Sequence, residues 1–274
     1  MNTGNLEEFL SKKVDEFNQP FFIESDPISI PHLFSKKQDI EVAGFFAAIF
    51  SWGKRTTIIK KTKELMQRMD MSPHEFCLNY DLSSLKSLKG FKHRTFNEDD
   101  LFYFVEFFHH HYKKSGTLET AFMNNVKKPF PAGGGLPAGQ AGLVESALVE
   151  FKNYFFSFDH LKRTEKHISS PLQKSTCKRL NMFLRWMVRN DKAGVDFGIW
   201  SQRTPSEKKI SPSQLICPID VHVARVARRL GLLKRKQTDW LAAVELTENL
   251  KKLDPKDPVK YDFALFGLGA LEKF

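Results

Sequence analysis

Apolar residues recur at helical spacing along most of the chain, and alternating, strand-like runs are scarce. Leu6, Phe9, Leu10, Val14 and Phe17 fall on one face of an N-terminal helix that Pro20 ends. After the Asp26-Pro27 and Ile30-Pro31 turns, Asp39 is placed to cap a strongly apolar helix through Ile40, Ala43, Phe46, Ala47 and Phe50, closing at Gly53. A second helix follows at once. Ile58, Ile59, Thr62, Leu65, Met66 and Met69 form its buried side, while Lys54, Arg55, Lys60, Lys61 and Lys63 make it basic. Asn97, followed by Glu98, Asp99 and Asp100, opens a further helix with Leu101, Phe104, Val105 and Phe108 as its core stripe.

The C-terminal half repeats this grammar. Ser170-Pro171-Leu172-Gln173 reads as a capping box with proline at the first helical position, opening a helix to about Asn190. Leu180, Phe183, Leu184 and Met187 define its buried side, opposite Lys174, Lys178, Arg185 and Arg189, with Met182 and Trp186 beside them. A connector with several Gly, Pro and Ser residues runs from Lys192 to Pro218. Pro218 disfavours helix at Cys217, Asp220 suits an N-cap and Gly231 a left-handed C-terminal position, so a short helix is bracketed between them. Val223, Ala224, Ala227 and Leu230 form its apolar stripe, and Arg225, Arg228 and Arg229 project elsewhere. Asp239 can cap Trp240 to Leu253, and Asp257-Pro258 can open Val259 to Ala270. Residues 127–142, rich in Pro, Gly and Ala, read as a long loop. That loop lacks the Lys-Ser/Thr ending of a phosphate-binding P-loop, so a surface loop or substrate-contacting lid is expected there. The fold expected is all-α.

With 26 Phe among 274 residues and 41% hydrophobic positions, the chain can bury an aromatic core, in one large domain or two lobes. A formal charge of +10 favours a polyanionic partner such as nucleic acid over an anionic membrane surface. No stretch has the length and apolarity of a membrane span, and Asn5 to Phe17 carries too many charges for a signal peptide. Cys77, Cys177 and Cys217 are too few for a disulfide framework or a four-thiolate iron–sulfur cluster, and fit a reducing cytoplasm. His109, His110 and His111 point in different directions on a helix, so no shared metal is expected. Asp220 at the positive end of a helix beside Arg225, Arg228 and Arg229 places an acid next to a basic surface. Simple capping with a solvated arginine face accounts for the same residues.

Asp220-Val221-His222-Val223-Ala224-Arg225-Val226 resembles the Asp-bearing helix start of the helix-hairpin-helix DNA glycosylase superfamily, in which a V-D-x-H-x-x-R-V pattern is common. Phe46 to Lys60 resembles the early helix pair that carries a leucine-serine-glutamine signature in many relatives, with Trp52 in place of the glutamine. Cys177 to Phe183 is similar to the lysine-bearing helix of the archaeal oxoguanine glycosylase branch, which makes Lys178 the matching nucleophile. The whole-chain character, including Asp257 to Gly267, also resembles a conserved bacterial family described without an activity. Two departures stand out. No Leu-Pro-Gly-Val-Gly hairpin precedes Asp220, and Lys178 lies 42 positions upstream of it, farther than is general in the superfamily.

The resemblance implies a single domain of residues 1–274 in two helical lobes with a cleft between them, acting on double-stranded DNA that contains a damaged base, an oxidised one among the candidates. It implies catalysis by Lys178 and Asp220 in base-excision repair, with AP-lyase activity as a possible second step. A damaged nucleotide must be flipped out before its C1′ can be reached. Lys178, partly desolvated beside Lys174 and Arg185, would attack that carbon as a neutral amine, and Asp220 would stabilise the developing sugar cation. Trp52, Lys54, Arg55, Lys60, Lys174, Arg185, His222, Arg225, Arg228 and Arg229 are the expected DNA contacts. No cofactor, metal or iron–sulfur cluster is expected. The chain is expected to act as a monomer, away from membranes, in a bacterial cytoplasm at the nucleoid. The alternative is a non-catalytic nucleic-acid-binding relative of the glycosylases.

Overall fold

The computed structural model describes residues 3–81, 83–124, 126, 141–200 and 209–274. In chain order its helices are α1 (Thr3–Phe17), α2 (Pro20–Glu24), α3 (Lys37–Ile49), α4 (Arg55–Arg68), α5 (Pro73–Asn79), α6 (Glu98–Tyr112), α7 (Glu119–Met123), α8 (Ala141–Phe155), α9 (Lys178–Val188), α10 (Val221–Arg229), α11 (Trp240–Lys251) and α12 (Tyr261–Ala270). Among the described residues there is no β-strand, only the isolated bridges His93 to Phe96 and Asn190 to Phe197. The fold is all-α, as the periodicity predicts. No helix of the described residues is long and apolar enough to cross a membrane. The chain divides into two compact units, residues 1–22, 126–149 and 170–274 forming the first, and residues 23–125 and 150–169 the second.

The second unit is built around α3. Every residue from Asp39 to Phe50 is buried, so this helix is enclosed all round rather than along one stripe. Its Phe45 and Phe46 meet Phe104 and Phe108 of α6, with ring centroids 5.5 to 6.1 Å apart, and Phe122 of α7 stacks on Phe151 at 4.0 Å. Asn97 caps α6 in a reciprocal box with Asp100. Glu41 sits wholly inside this core, where it accepts hydrogen bonds from the Tyr112 hydroxyl at 2.9 Å, from the Leu118 N–H at 2.9 Å and from the Thr117 hydroxyl. With its oxygens so engaged, it is tolerated where an unpaired carboxylate would not be.

In the first unit α12 is the hub, packing against both α1 and α10. Gly267 of α12 lies directly under the Phe17 ring of α1, where a Cβ would collide with the aromatic carbons. Asp239 caps α11 through the Ala242 N–H at 3.1 Å, and Gly231, at φ +74°, follows the last turn of α10 in the left-handed conformation expected of it.

Four sequence expectations change. Asp39 does not cap its own helix, which begins earlier, at Lys37; its Oδ1 instead accepts the His74 N–H at the start of α5, at 2.9 Å. Ser170 makes no cap hydrogen bond, and Pro171–Gln173 is a single 3-10 turn ended by Lys174 in the left-handed conformation. The helix starts only at Lys178, because the Ser175 hydroxyl takes the Cys177 N–H and Asn181 Nδ2 donates to the Thr176 carbonyl, local bonds that compete with helix formation. Asp257 is likewise no cap: its Oδ2 accepts from Arg189 Nε at 2.8 Å. Of the 127–142 loop, residues 141 and 142 open α8, and the remainder lies outside the described residues.

Candidate active site

The segment leading to Asp220 is anchored before the helix begins. Cys217, Pro218 and Ile219 are buried, and the Cys217 N–H donates to the Thr247 hydroxyl of α11 at 3.0 Å. Asp220 then caps α10: its Oδ1 accepts the N–H groups of His222 and Val223 at 2.8 and 2.9 Å. The cap occupies one carboxylate oxygen and leaves the other aimed away from the helix. Lys178, the first residue of α9, follows Cys177 in the left-handed conformation. Its Nζ lies 3.8 Å from Asp220 Oδ2, with the lysine side chain 31% and the aspartate side chain 18% exposed. At that separation the two attract without a close hydrogen bond, and both remain within reach of a ligand.

Behind this pair lies an ion network that periodicity did not foresee. Arg185, assigned from sequence to an outward basic face and to DNA contact, is only 4% exposed. It hydrogen-bonds Asp262 of α12 through Nη1 and Asp196 through Nε at 3.3 Å, and its guanidinium lies 4.3 Å over the Phe263 ring. Arg189, equally buried, contacts Asp196, Asp191 and Asp257 at 2.8 to 2.9 Å. Trp186 is fully buried beside them. Arg185 of α9 and Arg189 just after it therefore belong to a charged layer of the interior. Burial raises the Asp262 carboxyl to about 6, Arg185 opposing the shift, while the charge of Asp220 adds to it and that of Lys178 reduces it. Asp262 thus feels both members of the exposed pair. Its sequence signal is a lone acid between Tyr261 and Phe263 in an otherwise apolar helix.

The remaining candidates divide between the units. In the first, Lys174 is exposed and His222 half-buried. Arg225 is exposed but reaches the Gly269 carbonyl at 2.7 Å and the Phe274 carbonyl at 3.2 Å, closing the end of α12. Arg228 holds the carbonyls of Arg235 and Lys236 at 3.0 and 2.9 Å, and Arg229 is exposed with its guanidinium 4.7 Å over the Phe274 ring. Arg225 and Arg228 thus have structural partners already. In the second unit Lys54 and Lys60 are exposed and Arg55 and Trp52 half-buried. The Arg94 guanidinium lies 4.6 Å over the Trp52 ring.

The histidine run is spent on structure. His109 bonds the Cys77 carbonyl at 3.2 Å, His111 bonds the Thr117 carbonyl at 2.9 Å, and the His110 ring stacks on Phe158 at 4.5 Å. Among the described residues no three His, Cys, Asp or Glu side chains cluster as metal ligands would.

No curated protein and no solved structure matches the chain. Residues 26–271 match a family model described as "protein of unknown function (DUF2400)", and with that span nearly the whole of the sequence above is covered. The chain belongs to this DUF2400 family.

Proposed function

We propose that this protein is a DNA base-excision repair glycosylase with associated AP-lyase activity, acting on a damaged base in double-stranded DNA. One observation carries the reading: Lys178 Nζ and Asp220 Oδ2, separated by 42 positions of sequence, stand 3.8 Å apart at the starts of two helices, both partly open to solvent. An amine beside a carboxylate is the pair that displacement at a sugar C1′ requires. Asp220 accepts a proton from the lysine ammonium. The freed amine lone pair forms the bond to C1′ as the glycosidic bond breaks, and the base leaves with the electron pair of the broken bond and takes up the proton held by Asp220. Ring opening gives a Schiff base, and loss of a C2′ proton expels the 3′ phosphate. Once that proton has passed to the base, Asp220 is again a carboxylate and is placed to stabilise positive charge on the sugar, since its second oxygen is not used by the cap.

The test is incubation of the protein with duplexes containing an abasic site or oxoguanine in the presence of borohydride. A covalent adduct that disappears in Lys178→Ala supports the reading. Tight duplex binding with neither adduct nor base release identifies a non-catalytic nucleic-acid-binding relative instead. Absence of both binding and adduct across a panel of lesions removes both readings.

A further inference from the structure

The second unit carries a groove of about 620 Å³ lined by seven residues between Gly90 and Glu98, together with Arg163 and Lys166. Four cations line it, Lys92, Arg94, Arg163 and Lys166, against one carboxylate, Glu98. Glu98 is already engaged, its Oε2 accepting the Gly90 N–H. Arg163 is engaged too: it holds Asp100 Oδ2 at 2.7 Å and the Thr95 carbonyl at 2.8 Å, and so fixes the wall of the groove. Lys92, Arg94 and Lys166 are exposed, and none has a carboxylate partner among the described residues.

The backbone that presents them is well anchored. His93 Nε2 bonds the Phe50 carbonyl at 3.1 Å, and its backbone pairs with Phe96. Arg94 has φ +57°, a left-handed conformation unusual for a long side chain. Its guanidinium is laid over Trp52 and against Gly53, where a Cβ would come within 2.7 Å of Nη1. Gly53 itself has φ +113°, so both its conformation and its missing side chain serve this contact. Arg94 thereby joins the groove to the turn before α4, where Lys54 is exposed. Cations held together without counter-charge repel one another until an anion joins them. A row of them from the groove to a neighbouring turn suits an anion that repeats along a chain better than a single ion.

We propose that this groove is a phosphate-binding site for the phosphodiester backbone of nucleic acid, with Lys92, Arg94 and Lys166 as its contacts. The proposal shares with the reading above the assumption of a nucleic-acid partner, but it is independent of the chemistry at Lys178. The experiment is titration of a short undamaged duplex, followed by fluorescence anisotropy at several salt concentrations, with wild type, Lys92→Ala/Lys166→Ala, Arg94→Ala, and a control, Lys12→Ala/Lys252→Ala, that removes two exposed lysines elsewhere. Each lost phosphate contact should reduce the slope of log K against log salt by about 0.9, so the groove double variant should lose about two and bind more weakly, with its thermal melt unchanged. The control should match wild type.

Wild-type slope and affinity in the groove variants overturn the proposal, as does an equal loss in the control. Groove-dependent binding of inorganic pyrophosphate with no duplex binding overturns the nucleic-acid assignment. Groove-dependent binding with neither borohydride adduct nor base release sinks the glycosylase reading alone, whereas a trapped adduct with groove-independent binding sinks this one alone.

Discussion

Asp220 divides its two oxygens between two tasks: Oδ1 holds the first N–H groups of α10, while Oδ2 stands 3.8 Å from Lys178 Nζ. Structure and chemistry can therefore be separated by substitution. Asparagine caps a helix about as well as aspartate, so Asp220→Asn should melt within about 0.5 kcal/mol of wild type, whereas Asp220→Ala should lose about 1 kcal/mol. Both should slow borohydride-trapped adduct formation by about 100-fold or more, because both remove the charge. Thermal melts and single-turnover trapping measure the two effects. An Asp220→Asn protein that traps at the wild-type rate would reduce Asp220 to a cap.

Arg185 is the neutralising partner of two buried carboxylates. Arg185→Met should cost about 3–5 kcal/mol, since Asp262 would be left inside without its counter-ion and Asp196 would keep only Arg189. Lys178→Met, which breaks only a partly exposed pair, should cost about 0–1 kcal/mol. Urea unfolding of the two variants should therefore give well-separated midpoints, and similar midpoints would contradict the buried network.

Asp100 supplies a pH signature. Burial pushes its carboxyl up, but the His167 ring, the Asn97 N–H and the Thr164 hydroxyl together outweigh this and hold it at about 2, below the ordinary 3.8. A carboxyl lowered by folding stabilises the native state fully above its unfolded value and loses that contribution as pH falls through its folded value. Wild type should accordingly be more stable than Asp100→Asn at neutral pH, with the difference shrinking between about pH 4 and pH 2. Urea midpoints across that range check it, and a constant difference would refute the assignment.

Gly267 has no room to grow. Gly267→Ala forces a methyl group into the buried Phe17 ring and should destabilise the protein by about 1–3 kcal/mol. Gly4→Ala, where nothing lies within 4 Å, should be neutral or slightly stabilising. Thermal melts of the pair decide the point.

What the sequence makes legible here is what depends on neighbours a few positions away. The caps at Asn97, Asp220 and Asp239 bind N–H groups two or three residues on, and the pattern of each is visible in the letters. Asp39 and Asp257 look the same locally but bond residues 35 and 68 positions distant, and no periodicity contains that information. Arg185 fails for the same reason. Its helical position places it opposite the apolar stripe, yet partners 11 and 77 positions away make burial tolerable. The approach of Lys178 to Asp220 was expected from family resemblance rather than from spacing. The groove at residues 90–98 lacks a motif because its cations come from two stretches of chain.

The pairing of α1 with α12 sets an order of assembly. All the residues of the second unit precede residue 170, whereas the first needs α12, from Tyr261 onward, to cover the apolar side of α1. On the ribosome, where chains fold as they emerge, the phenylalanine-rich unit can close before α12 is made, while α1, made long before α12, must wait for it. The apolar side of α1 is thus a nascent-chain liability, a greasy surface left uncovered until the segment from Tyr261 onward has been made.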